Sequence, residues 1–204
     1  VNCERVWMKS ALVEREAGDE KAERALLNEG IEKFPTFWKL WIMLGQLEER
    51  AGDDRAEQVR SAYSQGTKKC PNAVPLWRAL ADFEMRCGNA SKARIILETA
   101  RSKNPANDNL WLAAVRQEQA CGNAQLAEST IARGLQECPE SGLLLAESVR
   151  MAPRPQRKSK SVDALRKCDN DPYIIAAIAI LFWSDRKIDK ARSWWNRAVT
   201  IAPD

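Results

Sequence analysis

The stretch WRALADFEMRCGNASKARIILETARSKNP, Trp77 to Pro105, decides the fold. From Trp77 to Gly88 its apolar positions recur at three and four, as in Trp77, Leu80 and Ala81, which is the signature of a helix with one buried stripe. Gly88 then stands where a helix ends on a left-handed residue, and Asn89 follows as the N-cap of the next. One tripeptide, Cys87 to Asn89, ends one helix and begins another. The second helix runs from Ala90 to Lys103 and stops before Pro105, which cannot continue it.

The same sentence is spelled out along the rest of the chain. Trp7, Trp41, Trp77 and Trp111 are 34, 36 and 34 residues apart. Each is followed seven residues later by Glu14, Glu48, Glu84 or Glu118, and eleven later by Gly18, Gly52, Gly88 or Gly122. Each unit closes on a proline (Pro35, Pro71, Pro105, Pro139), and the fifth residue before it is small: Gly30, Gly66, Ala100, Gly134. A small side chain there lets two helices approach closely. Leu145 and Ile175 continue the Trp series in two further units, and Pro172 and Pro203 extend the prolines. A fixed period of this length means stacked supersecondary units. The expected helix pairs are 3–17 and 20–33, 36–51 and 54–69, 73–87 and 90–103, 107–121 and 124–137, 142–151 and 159–168, 173–184 and 187–200. No segment alternates with period two, so no strand is expected. Because one pair cannot bury its apolar face alone, the expectation is an all-α solenoid in which residues 1–204 form a single array. Its units fall at about 1–35, 36–71, 72–105, 106–139, a degenerate 140–172, and 173–204.

Composition removes whole classes of function. The 204 residues contain no His, so no imidazole is on hand for a Ser-His or Cys-His nucleophile, or for zinc. The longest apolar run, Tyr173 to Trp183, is too short to span a bilayer. No phosphate loop, metal spacing or activated nucleophile is present, so neither catalysis nor a cofactor, metal or small-molecule substrate is expected. The first residues do not resemble a signal peptide, and the two ends look like those of an excised fragment.

The Trp-to-Pro distance and the small residues resemble the tetratricopeptide repeat, yet the Glu seven after the Trp stands where that repeat usually carries an aromatic. Trp followed by Glu on the first helix, with Pro after the second, resembles the HAT (half-a-tetratricopeptide) repeat, and the resemblance covers essentially the whole chain. YSQGTKKCPNAVPLW (Tyr63 to Trp77), LQECPESG (Leu135 to Gly142), RPQRKSKSVDALRKCDNDP (Arg154 to Pro172) and LFWSDRKIDKAR (Leu181 to Arg192) are similar to the C-terminal HAT arrays of spliceosomal pre-mRNA-processing factors that bridge the parts of the tri-snRNP. The resemblance implies a right-handed superhelix and a nuclear, non-catalytic scaffold that holds other snRNP proteins. The departures are the fifth unit, with Leu145 for Trp and Ala152 for Glu, and the sixth, with Ile175 for Trp and Phe182 for Glu.

Seven helical residues fall about 20° short of two turns, so each repeat Glu shares a stripe with its Trp and points partly into the packing. A buried carboxylate needs a partner. The residue eleven before the proline is Arg24, Arg60 or Arg94 in the first three units and Glu128 in the fourth. Glu14, Glu48 and Glu84 are therefore expected to meet those arginines or capping amides, and Glu118 to find something else. A row of general acids is the competing reading, but a catalytic group has no reason to recur with the fold.

Six cysteines lack any CxxC, and Cys70 and Cys138 occupy equivalent places, as do Cys87 and Cys121, so free thiols acting as small fillers are expected. The four anchor tryptophans belong in the core, Trp38 at the first junction between repeats, and one of Trp194 and Trp195 outside. Charge is uneven: residues 141–204 hold 12 basic and 7 acidic side chains against 20 and 21 in the rest. The densest basic stretch, Arg154, Arg157, Lys158 and Lys160 beside Pro153 and Pro155, is expected to project as a proline-punctuated loop, with Arg166 and Lys167 on the next helix. It is the candidate contact for a partner protein or, weakly, for RNA. Three alternatives to splicing remain at this point. One is a HAT scaffold of another RNA-processing complex, for 3′-end cleavage or rRNA processing. The others are an RNA-binding helical repeat and a tetratricopeptide co-chaperone that captures an acidic C-terminal peptide.

Overall fold

The computed structural model describes residues 3–203, apart from the side chain of Asp53. Among the described residues there are twelve α-helices and no strand. They come in six pairs: α1 (Glu4–Ala17) and α2 (Glu20–Lys33); α3 (Trp38–Arg50) and α4 (Ala56–Lys69); α5 (Val74–Arg86) and α6 (Ala90–Lys103); α7 (Asp108–Ala120) and α8 (Ala124–Glu137); α9 (Gly142–Met151) and α10 (Arg154–Lys167); α11 (Pro172–Ser184) and α12 (Ile188–Ile201). A 3-10 turn over Asp53–Arg55 leads into α4.

The chain divides into two compact units, Val1–Asn104 and Pro105–Asp204. In the first, the two helices of each pair pack together, and α2 against α3, α4 against α5 and α3 against α5 join the pairs. The core runs through Leu27 of α2, Leu40 and Leu47 of α3, Val59 of α4 and Leu76 of α5. In the second unit α9 is the junction: it packs on α7, α8, α10 and α11. Around it Leu145, Val149, Ala164, Ile174 and Ile178 are buried together. Helix α11 is apolar on nearly every side and is correspondingly enclosed, with Ile174, Ile175, Ala177, Ile178, Ala179 and Leu181 all buried.

Local chemistry explains the turns. Gly18, Gly88 and Gly122 take φ of 78°, 78° and 75°, the left-handed conformation that closes α1, α5 and α7. At each, the next residue's amide reaches back to the carbonyl of the repeat Glu: Asp19 to Glu14, Asn89 to Glu84, Asn123 to Glu118. The sixth pair builds the same turn without glycine, using Arg186 at φ 59°, with Lys187 N–H donating to the Phe182 carbonyl.

The segment expected to project as a basic loop is helical instead. Helix α10 starts at Arg154, with Pro155 in its first turn, where the missing N–H costs nothing because the first amides of a helix have no carbonyl to bond. The connection from α9 is only Ala152 and Pro153, both extended. Proline here starts a helix where the sequence reading had taken it to prevent one.

Candidate functional site

The repeated side chains form a set of fastenings. Trp41, Trp77 and Trp111 are 5%, 6% and 5% exposed. Each indole N–H donates to the carbonyl of the proline six residues before it: Trp41 to Pro35 at 2.9 Å, Trp77 to Pro71 at 2.8 Å, Trp111 to Pro105 at 2.8 Å. The same carbonyls accept a second donor from the residue that precedes the next proline. Asn104 Nδ2 reaches Pro71 at 3.0 Å, while the thiols of Cys70 and Cys138 lie 3.7 and 3.9 Å from the Pro35 and Pro105 oxygens. The two cysteines therefore fill a donor position that Asn104 takes in the third unit. Trp7 is the exception: its Nε1 is buried with no acceptor among the described residues, which do not include the residue six before it. The small residue of the second helix sits under the indole, since a Cβ on Gly66 would lie 2.8 Å from Trp41 Cβ and one on Gly134 would lie 3.2 Å from Trp111 Cβ.

The carboxylates are staggered by one unit relative to expectation. Glu48 and Glu84 are 5% and 3% exposed. Glu48 accepts from Arg24 Nε at 2.7 Å and from Arg55 at 2.9 Å. Glu84 accepts from Arg60 Nε at 2.7 Å and from Asn89 at 2.7 Å. The arginine on the second helix of one unit thus reaches forward to the first helix of the next, because that second helix packs against both. Burial alone would raise the Glu48 carboxyl, but the hydrogen bonds and charges of Arg24 and Arg55 hold it below its ordinary value. For Glu84, burial is likewise outweighed, by Arg60 and Asn89. Glu118 accepts from Asn123 Nδ2 at 2.9 Å. The carboxylate of half-buried Glu14 meets neither Arg24 nor any other donor among the described residues. Asn89 and Asn123 thereby depart from the capping role read from their positions. Asp19 accepts from the Ala22 amide at 2.9 Å as an N-cap should, whereas the two asparagine side chains turn back to the repeat Glu.

The basic residues of α10 do not make one patch. Arg154, Arg157 and Lys158 line a cleft against the C-terminal end of α11, with Arg157 Nε donating to the Ala152 carbonyl at 2.8 Å. Lys160 lies in a different cleft, between α8, α9 and α10. Arg166 and Lys167 close the last turn, where positive charge suits the exposed carbonyls of a helix end. Arg166 is 3.7 Å from Asp163.

Comparison with known proteins fits this geometry. A tetratricopeptide repeat family model matches residues 74–116, from α5 into α7. The chain is 39% identical over 178 residues, 87% of its length, to Pre-mRNA-splicing factor prp1 of Schizosaccharomyces pombe. It is 56% identical over 201 residues, 98% of its length, to Protein STABILIZED1 of Arabidopsis thaliana. It is 29% identical over 186 residues, 89% of its length, to Pre-mRNA-splicing factor 6 of Saccharomyces cerevisiae. The chain is a homologue of these splicing factors and carries tetratricopeptide-like helix pairs. It spans about a fifth of each relative's length, at 19%, 19% and 20%.

Several further fastenings carry no signal in the repeat pattern. Glu23, 1% exposed, accepts from Arg50 at 2.9 Å. Buried Glu147 gathers Gln119 at 3.4 Å, Arg150 at 3.5 Å and Arg116 at 3.7 Å. The Tyr63 hydroxyl donates to Glu49 at 2.8 Å, and Arg86 pairs with the same carboxylate. Burial, then the Glu49 hydrogen bond, pushes the Tyr63 phenol far above its ordinary value. One signal could have exposed this last group. Gly45 sits in the middle of α3, where it costs helix stability, and the Tyr63 ring occupies the space its side chain would need. The cysteines are all free thiols, and burial raises those of Cys70, Cys138 and Cys168. Among the described residues no group of three or more Cys, Asp or Glu is placed to hold a metal.

Proposed function

We propose that this chain is a non-catalytic protein-binding scaffold of the nuclear pre-mRNA splicing machinery, holding snRNP proteins together during tri-snRNP assembly. The observation that carries the reading is the 39% identity over 87% of the chain to a protein named as a pre-mRNA-splicing factor, alongside 56% identity over 98% of the chain to Protein STABILIZED1. The geometry supports a scaffold. Three of the four repeat carboxylates that could have served as general acids, Glu48, Glu84 and Glu118, are engaged by arginines and asparagines. A carboxylate whose pKa is held down in an ion pair is a poor proton donor near neutrality. The reading of residues 1–204 as one continuous array stands on the period in the sequence, and partner proteins would lie along the exposed helix faces.

Affinity capture from nuclear extract with the chain as bait, followed by identification of bound proteins and RNA, tests the reading. Recovery of snRNP proteins is the expected result. Recovery of chaperones, or of RNA without snRNP proteins, would overturn it.

A further inference from the structure

The cleft between the first turn of α10 and the C-terminal half of α11 has a volume of about 330 Å³ and carries Arg154, Arg157 and Lys158 on one wall and Leu181 on the other. It runs into a second hollow of about 150 Å³, with which it shares Arg157, Leu181 and Ser184, and whose floor is Val149, Ala177 and Ile180. Arg150 stands at the edge of that hollow, 3.5 Å from Glu147. Arg154 and Lys158 are exposed and have no carboxylate within ion-pair distance among the described residues. The carboxylate lining the cleft, Asp185, faces Lys187 at 3.9 Å. Ile180 is 42% exposed, an apolar side chain open to solvent at the floor of the second hollow. An apolar floor, an excess of unpaired cations on one rim and an open top therefore coincide.

We propose that this cleft binds an acidic, amphipathic peptide segment of a partner protein, with its carboxylates on Arg154 and Lys158 and an apolar side chain on Ile180 and Leu181. The inference deepens the scaffold reading and rests on it. Charge complementarity selects an acidic occupant, and the apolar floor selects a peptide over a polyphosphate backbone, which would leave Ile180 uncovered. A nucleic acid would also call for a track of cations. Lys160 faces another cleft, and Arg166 and Lys167 lie about 12 Å beyond Lys158 along the helix at the usual rise per residue. The Arg154 and Lys158 side chains are one turn apart, so carboxylates at similar spacing on a helical partner would meet both at once.

The test is fluorescence anisotropy with the full chain and two labelled probes: a short helical peptide with Glu on one face and Leu on the other, and an oligouridylate. The peptide should bind, and Arg154→Glu/Lys158→Glu should weaken it about tenfold or more. Ile180→Asp should weaken it comparably, while Lys160→Glu should leave it unchanged; circular dichroism checks that each variant stays folded. Tighter binding of the oligouridylate, indifference of the peptide to Ile180→Asp, or no binding of either probe would overturn the proposal. The same variants used as bait separate the two readings. If snRNP proteins are captured equally by Arg154→Glu/Lys158→Glu, the cleft fails and the scaffold stands; if the unaltered chain captures none, the scaffold itself fails.

Discussion

At the place seven residues after the anchor, the second and third pairs carry a buried carboxylate and the sixth carries a ring. Glu48 and Glu84 are clasped by guanidinium groups from the preceding pair. Phe182 stacks on Trp194 at 6.5 Å between centroids and 20° between planes, with Lys190 5.9 Å above Phe182 and Arg197 5.4 Å above Trp194. One solution is ionic and needs two residues from different units. The other is apolar and is made by α11 and α12 of a single pair. The difference teaches that the position demands a filled, satisfied contact and not a charge, which agrees with the general finding that a buried ion pair and a well-packed apolar group can be energetically close.

The comparison can be broken most severely at the anchors. Trp77→Ala removes a buried indole and its bond to Pro71, and a loss of about 3–5 kcal/mol is expected in urea or thermal unfolding. Next comes separating the ionic pair. Arg60→Met leaves the Glu84 carboxylate buried with Asn89 still donating to it, at a cost of about 2–3 kcal/mol, below the full penalty for a buried pair because Arg60 is 24% exposed. Arg60→Met/Glu84→Phe copies the sixth pair's solution into the third and should recover much of that loss, whereas Phe182→Glu imports a carboxylate without its arginine and should cost about 2 kcal/mol.

Acid sharpens the contrast further. The Glu48 and Glu84 carboxyls lie below their ordinary value of 4.5 in the folded protein, so the stability they contribute is present above that pH and is lost as the pH falls through their folded values. Hydrogen exchange compared between neutral pH and a pH below 4.5 should show α2 to α5 losing protection from this source, with no equivalent loss from the Phe182 contact. The smallest effect expected is Arg186→Gly. It relieves a left-handed non-glycine residue and should raise stability by about 0.5–1 kcal/mol, whereas Gly88→Arg at the matching turn should lower it by a similar amount.

Much of this fold was legible because the repeat writes each instruction several times. Helix ends read from Gly88, Asn89 and Pro105 fall within a residue or two of where they stand, and the pairs follow. Two things were harder to read. Proline is ambiguous: Pro105 lies beyond a helix, while Pro155 sits inside the first turn of one, and composition does not separate the two cases. Partnership across units is also invisible in a one-unit alignment, which matches Glu48 with Arg60 by position when the bond is to Arg24. Asn89 and Asn123 had two uses for one amide, and a buried carboxylate nearby decided between them. The basic residues of α10 were found as a group, but the helix that carries them divides them between two clefts.

The forward reach of Arg24 to Glu48 and of Arg60 to Glu84 is best tested by a pair of double-mutant cycles sharing Arg60→Met. With Glu84→Leu the account predicts a coupling of about 1–3 kcal/mol, and with Glu48→Leu a coupling within about 0.5 kcal/mol of zero. A large coupling to Glu48 and none to Glu84 would contradict it.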